Sequence, residues 1–240
     1  ASDWSSDVCS SDLQPSIMSN SIFTPGTAGS VLGTWGTAPI AASIPQGWTM
    51  FVSGAGAGIV CVAEKGVETD PDGFPVFKLT ISGTLAANAS CTIQVYQLAS
   101  LVTLFANNWL TINDKLRGVA RMKVEAGAQY FSGASLSLIV QSPTTAKFLT
   151  GFTGRGGSVI NMSAPAFVEA YDGAWLPYCT EVVDFQDPGK AALGQNMTAQ
   201  ADISQIQIRA DLDFRNLTAA TQTVAATVRL SRMGAMRVAA

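Results

Sequence analysis

Two segments near the C-terminus carry an apolar residue at every second position. Ile206, Ile208, Ala210, Leu212 and Phe214 are separated by Gln207, Arg209, Asp211 and Asp213; Val224, Ala226, Val228 and Leu230 are separated by Ala225, Thr227 and Arg229. A period of two sends successive side chains to opposite sides of an extended chain, so each segment reads as a strand with one buried and one solvated face. Residues 215–222 read as a hairpin connection, and the two strands are expected to pair antiparallel. The same pattern recurs at lower contrast in residues 59–64, 76–82, 91–97, 116–125, 135–141 and 176–185. Turn residues separate these segments: Asp70, Pro71, Asp72 and Gly73 before one, Ala126 and Gly127 after another, and Asp187, Pro188 and Gly189 after a third. Leu98, Leu101, Val102 and Phe105 fall at helical spacing, which predicts a short helix or turn closed by Asn107 and Asn108. Residues 19–53, rich in Gly, Pro, Thr and Ser, read as a long loop or edge segment. The expected fold class is all-β: a two-sheet antiparallel β-sandwich, or jelly roll.

Composition supports one packed module. The chain is 48% apolar and only 13% charged, with 22 glycines, which excludes a disordered tail and suits strands joined by turns. Residues 3–13, DWSSDVCSSDL, resemble a translated sequencing adapter and lack the apolar patterning of residues 14–240. Residues 1–13 are therefore read as an artefactual leader and 14–240 as a single sandwich. Of 17 acidic residues three, Asp3, Asp7 and Asp12, fall in that leader, and the rest balance the 14 basic ones. A neutral module is not expected to attract nucleic acid, and without an apolar run of about 18 residues no membrane span is expected. Setting Cys9 aside leaves Cys61, Cys91 and Cys179 in strand segments with no metal or redox spacing. They read as buried free thiols, with a Cys61 to Cys91 bridge as the alternative.

The chain has no histidine. A Ser-His-Asp or Cys-His catalytic set is thereby impossible within it, as is a His-ligated metal centre. Paired carboxylates alone can hydrolyse glycosides, and Glu125, Glu169, Asp172, Glu181 and Asp184 are the candidates; most sit where a solvated strand face or a turn would put them. Gly54, Gly56 and Gly58, and the stretch 151–157 around Arg155, do not make phosphate loops, because neither has a strand before it and a helix after it, or a Gly-Lys-Ser/Thr ending. Glu68, Asp70 and Asp72 gather hard oxygen ligands of the sort calcium takes, without EF-hand spacing. The other reading is a turn that satisfies its own backbone. No cofactor is expected beyond a structural calcium there.

An aromatic ring beside polar side chains offers a sugar a flat apolar surface with hydrogen bonds at its rim. Trp175 and Tyr171 flanking Asp172 fit that role best, and Trp109 follows Asn107 and Asn108. Trp48 reads as structural.

The stretch Ile44, Pro45, Gln46, Gly47 and Trp48, the strand at 59–64, the turn at Asp70 to Gly73 leading into the strand at 76–82, and Lys123, Val124, Glu125, Ala126 and Gly127 together resemble jelly-roll carbohydrate-binding-like modules of bacteria and phages. The resemblance is strongest to those found C-terminal to SGNH/GDSL esterase domains. It implies a non-catalytic accessory module that holds polysaccharide or glycan through Trp175, Tyr171, Trp109, Asp172 and Asn108. It also implies an upstream hydrolase domain as partner and an extracellular or virion-associated setting. Two other classes compete: a structural or adhesion module of a phage tail or cell-surface assembly, and a carboxylate-only glycosidase or lyase.

Overall fold

The structure, a computed structural model, describes residues 31–35, 40–44, 48–54, 57–141, 148–152, 173–180, 182–186 and 205–238. Residues 1–13, expected from sequence to be a leader, lie outside the described residues. Among the described residues, thirteen strands and one short α-helix run in order: β1 Val31–Trp35, β2 Ile40–Ile44, β3 Trp48–Ser53, β4 Ala57–Thr69, β5 Pro75–Leu85, β6 Ser90–Ser100, α1 Leu101–Ala106, β7 Lys115–Ala126, β8 Phe131–Gln141, β9 Phe148–Phe152, β10 Trp175–Cys179, β11 Val183–Asp184, β12 Gln205–Arg215 and β13 Gln222–Val238. One sheet runs β1-β4-β5-β13-β7-β10, with β11 also on β7; the other runs β2-β3-β6-β12-β8-β9. Every pairing is antiparallel. The expected two-sheet antiparallel sandwich is what forms.

The two orders correspond position by position, β1 with β2, β4 with β3, β5 with β6, β13 with β12, β7 with β8 and β10 with β9. Strands at matching positions are consecutive among the described strands, so the chain repeatedly turns a corner from one sheet to the other. This corrects the hairpin expected for the C-terminal segments. β12 pairs with β6 and β8, and β13 pairs with β5 and β7 in the opposite sheet.

Asn216 holds that corner. It is 1% exposed, and its Nδ2 donates to the carbonyls of Leu85 and Ala86, each at 3.0 Å, and of Ala220 at 2.7 Å. Its Oδ1 accepts the Thr218 amide at 2.9 Å and hydroxyl at 2.7 Å. The same bonds tie 216–220 to the corner between β5 and β6, where the Asn88 amide donates to Thr218 and the Asn216 amide to Ala89. A two-residue hairpin turn would satisfy itself; here a side chain supplies the partners the bent backbone lacks.

Alternation decides what is buried. Ile206, Ile208, Leu212 and Phe214 of β12 face Val224, Val228 and Leu230 of β13 across a core that also takes Trp48, Met50, Val52, Ile59, Leu79, Ile93 and Leu138. Phe131 and Phe214 stack with ring centroids 4.4 Å apart. The segment 19–53, expected as loop or edge, contains β1, β2 and β3, and its alternating Trp48, Met50 and Val52 fill the core. After β7, Gly127 turns the chain with φ of 79°, where a Cβ would stand 2.3 Å from the Ala225 carbonyl. The expected helix forms as α1, which buries Leu101 and Phe105.

Cys61 and Cys91 are buried free thiols, one in each sheet, so the alternative bridge between them does not form. The Cys61 thiol donates to Met50 Sδ at 3.8 Å. Burial pushes the Cys61 thiol far above its ordinary range, and burial with the nearby Asp213 carboxylate pushes Cys91 up to about 11. Cys179 departs from the free-thiol expectation: it is disulfide-bonded.

Candidate functional site

The two outer faces of the sandwich differ in chemistry. On the sheet containing β13 outward charged side chains form ion pairs among outward Thr and Ser residues such as Thr80, Ser82 and Thr227. Lys78 meets Glu64 at 2.9 Å, Arg229 meets Glu125 at 2.7 Å and also Glu68, and Lys115 meets Asp184 at 3.1 Å.

The calcium expectation at Glu68, Asp70 and Asp72 meets the same chemistry, and the carboxylates are turned to other work. Asp70 Oδ1 accepts the amides of Asp72 at 3.0 Å and Phe74 at 2.9 Å, and Oδ2 accepts the Ser231 hydroxyl at 2.8 Å. Asp72 is clasped by Arg121 at 2.9 Å and Arg232 at 2.8 Å, and Glu68 pairs with Arg229. Three guanidinium groups stand where a dication would be repelled. No group of three or more His, Cys, Asp or Glu side chains able to hold a metal occurs among the described residues. The turn satisfying its own backbone, the competing reading, describes what is built.

The opposite face, on the sheet containing β12, carries hydroxyls, amides and rings around a central charged strand. From β3 come Thr49, Phe51 and Ser53, and from β6 Thr92, Gln94 and Tyr96. Gln207, Arg209, Asp211 and Asp213 come from β12, and Ser135 and Ser137 from β8. Register sets them in rows: Thr49, Tyr96, Arg209 and Ser137 in one, Phe51, Gln94, Asp211 and Ser135 in the next. Tyr96 and Phe51, both half-buried, are thus diagonal neighbours, close enough for rings to share one surface. At the centre Gln94 Nε2 donates to Asp211 Oδ1 at 2.7 Å, and Arg209 Nε donates to Asp211 Oδ2 at 2.9 Å. Beside it the Thr92 hydroxyl donates to Asp213 at 2.6 Å. Asp211 is 7% exposed; burial raises its carboxyl above the usual range, against the opposing pull of Arg209 and Gln94. Ser137 is fully buried, and its hydroxyl has no hydrogen-bond partner among the described residues.

The residues singled out from sequence do not converge. Tyr171 and Asp172 lie outside the described residues. Trp175 is half-buried at the edge of the ion-paired sheet, opposite Lys123. Trp109 is 64% exposed just beyond α1, where Asn108 takes a left-handed φ of 56° and ends the helix. β7 starts at Lys115 and needs eight residues, about 26 Å, to reach Lys123, so Trp109 and Trp175 sit toward different ends of the sandwich. Among the acidic candidates, Glu169, Asp172 and Glu181 are outside the described residues. Asp184 pairs in register with Lys115, ten residues from Glu125, and about 33 Å of strand far exceeds the roughly 9.5 Å limit for a hydrolytic pair.

The sequence matches no family model and no curated protein. Solved structures it is similar to include a mutant of ENZbleach xylanase, at 9% identity over 94% of each chain with a TM-score of 0.38. The CBM22-1-GH10 modules of Clostridium thermocellum endo-1,4-beta-D-xylanase 10B, complexed with xylohexaose, match at 10% identity. That match covers 87% of this chain and 29% of the other, with a TM-score of 0.32. The infectious bursal disease virus VP2 subviral particle matches at 10% identity over 76% and 48%, with a TM-score of 0.26. The likeness assigns neither activity nor ligand.

Proposed function

We propose that the protein is a non-catalytic β-sandwich that binds glycan on the outer face of the β12-containing sheet. One observation carries this reading: that face sets half-buried Phe51 and Tyr96 as diagonal neighbours in rows that also hold Thr49, Gln94, Arg209 and Asp211. Rings give an apolar platform for the C–H side of a sugar, and fixed polar groups meet its hydroxyls. Such a face binds through many weak contacts and needs no group to move a proton, which suits a chain without histidine. The role of accessory to an SGNH/GDSL hydrolase, in an extracellular or virion-associated setting, belongs to the same proposal and is supported by the sequence resemblance around Ile44 to Trp48.

Pull-down on insoluble polysaccharides and affinity electrophoresis in soluble ones test it. Retention of the native protein, weakened at least tenfold by Tyr96→Ala and unchanged by Trp175→Ala, is the expected result. No retention on any polysaccharide, or loss through Trp175→Ala alone, would overturn it.

A further inference from the structure

The charge layout of the candidate face narrows the ligand. Among the described residues of that face, every formal charge lies on β12: Arg209, Asp211, Asp213 and Arg215. Their sum is zero, and the flanking strands contribute uncharged side chains: Thr, Ser, Gln and rings, with Leu98 and Ile139 beside Gln207. Arg209, the cation nearest the sunken centre, is tied through Nε to Asp211, which Gln94 holds from the other side. Ser137, in register with Arg209, is fully buried beneath this face and offers a ligand no contact.

Resting on the glycan reading above, we propose that this face selects uncharged polysaccharide, and that Asp211 is the specificity-determining residue because it neutralises Arg209. With Asp211 ionised, the guanidinium offers its remaining N–H groups to sugar hydroxyls and no net attraction to a uronate or sulfate. Without that carboxylate, the face carries one net positive charge on an Arg209 guanidinium released from its partner, a group that takes a carboxylate bidentately. Asp211 orients Arg209 and Gln94; Arg209 and Gln94, both partly exposed, are the groups placed to touch ligand.

Affinity electrophoresis of the full chain in arabinoxylan, mixed-linkage β-glucan and polygalacturonate decides this. The native protein is expected to be retarded by at least one uncharged polymer and not by polygalacturonate. Asp211→Asn, of the same shape, is expected to lose about tenfold in retardation by the uncharged polymer. It should gain retardation in polygalacturonate at low salt that vanishes at high salt, as a screened charge contact must. Should Asp211→Asn not fold, as judged by near-ultraviolet circular dichroism, Arg209→Gln serves: it is expected to weaken uncharged-polymer binding without creating polygalacturonate binding. Native retardation by polygalacturonate equal to that by the uncharged polymers, or an Asp211→Asn protein unchanged in both, would overturn the selectivity and leave glycan binding standing. No retardation of native protein in any gel would overturn both.

Discussion

Asn216 is the side chain on which the corner between the two sheets depends, and Asn216→Ala measures that dependence. The substitution removes five hydrogen bonds, three donated to the carbonyls of Leu85, Ala86 and Ala220 and two accepted from Thr218. The bond to Leu85 is buried, so its carbonyl loses a partner that water cannot easily replace, at about 1–3 kcal/mol. The other four are part-buried and can be rehydrated, so each contributes nearer the low end of about 0.5–1.5 kcal/mol, and some overlap because one amide serves three acceptors. The total comes to about 3 kcal/mol, which for a domain of this size lowers Tm by roughly 6–12 °C. Urea unfolding followed by tryptophan fluorescence, with an unchanged m-value, gives the free energy directly. Asn216→Asp should lose more, since it removes the donor and adds a charge at a site 1% exposed. A loss below about 1 kcal/mol for Asn216→Ala would refute the corner argument, because it lies under the penalty for the single buried carbonyl.

The same structure sets three further outcomes. Arg229→Met keeps the volume of the stem and releases Glu68 and Glu125, which are 56% and 39% exposed and already meet water; denaturant titration should show a loss of only about 1 kcal/mol, and more than about 3 would mean that the pair behaves as a fully buried one. Cys61 and Cys91, with thiols raised by burial, should not react with an aromatic disulfide reagent at pH 8 until the protein unfolds; fast native reaction would contradict their placement in the core. Two carboxylates should shift stability with pH in opposite senses. Against the upward push of desolvation, the Arg237 and Thr111 hydrogen bonds hold Asp114 below the usual range, so its contribution is present at neutral pH and lost as pH falls below about 4. Asp114→Asn should therefore destabilise at pH 7 and be nearly silent at pH 2. Asp211, raised by burial, loses stability as pH climbs above about 4, so Asp211→Asn should gain on the native protein between pH 3 and 7, and parallel curves for either variant would contradict the assigned shifts.

Much of the fold was legible because burial on one side of a strand writes itself as alternation. Strands β4 to β8, β12 and β13 all lie where Ile59, Val76, Cys91, Leu116, Ser135, Ile206 and Val224 begin their patterns, and α1 lies where the period changes. Pairing was not legible. Alternation shows that β12 and β13 each have an inner face but not that those faces oppose one another across the core, and the residue that dictates the corner, Asn216, looks like an ordinary turn residue until its partners from β5 are seen. β3 was hidden in Gly- and Ser-rich surroundings although Trp48, Met50 and Val52 alternate.

The candidate face failed for a different reason. Gln207, Arg209, Asp211 and Asp213 were visible as the polar side of a strand, and a polar side reads as plain solvation until neighbouring strands bring Gln94, Tyr96 and Phe51 alongside. Sequence reasoning chose tryptophans beside polar neighbours in the chain. Register shows that the neighbours that matter come from other strands, and it places Trp109 and Trp175 apart.

The most direct test is a backbone NMR titration of the native protein with an uncharged oligosaccharide that retards it in gels. The account expects saturable shifts confined to Phe51, Gln94, Tyr96 and Arg209 and their neighbours on that face. Shifts centred on Trp175 and Lys123 across the sandwich, or no saturable shifts, would contradict it.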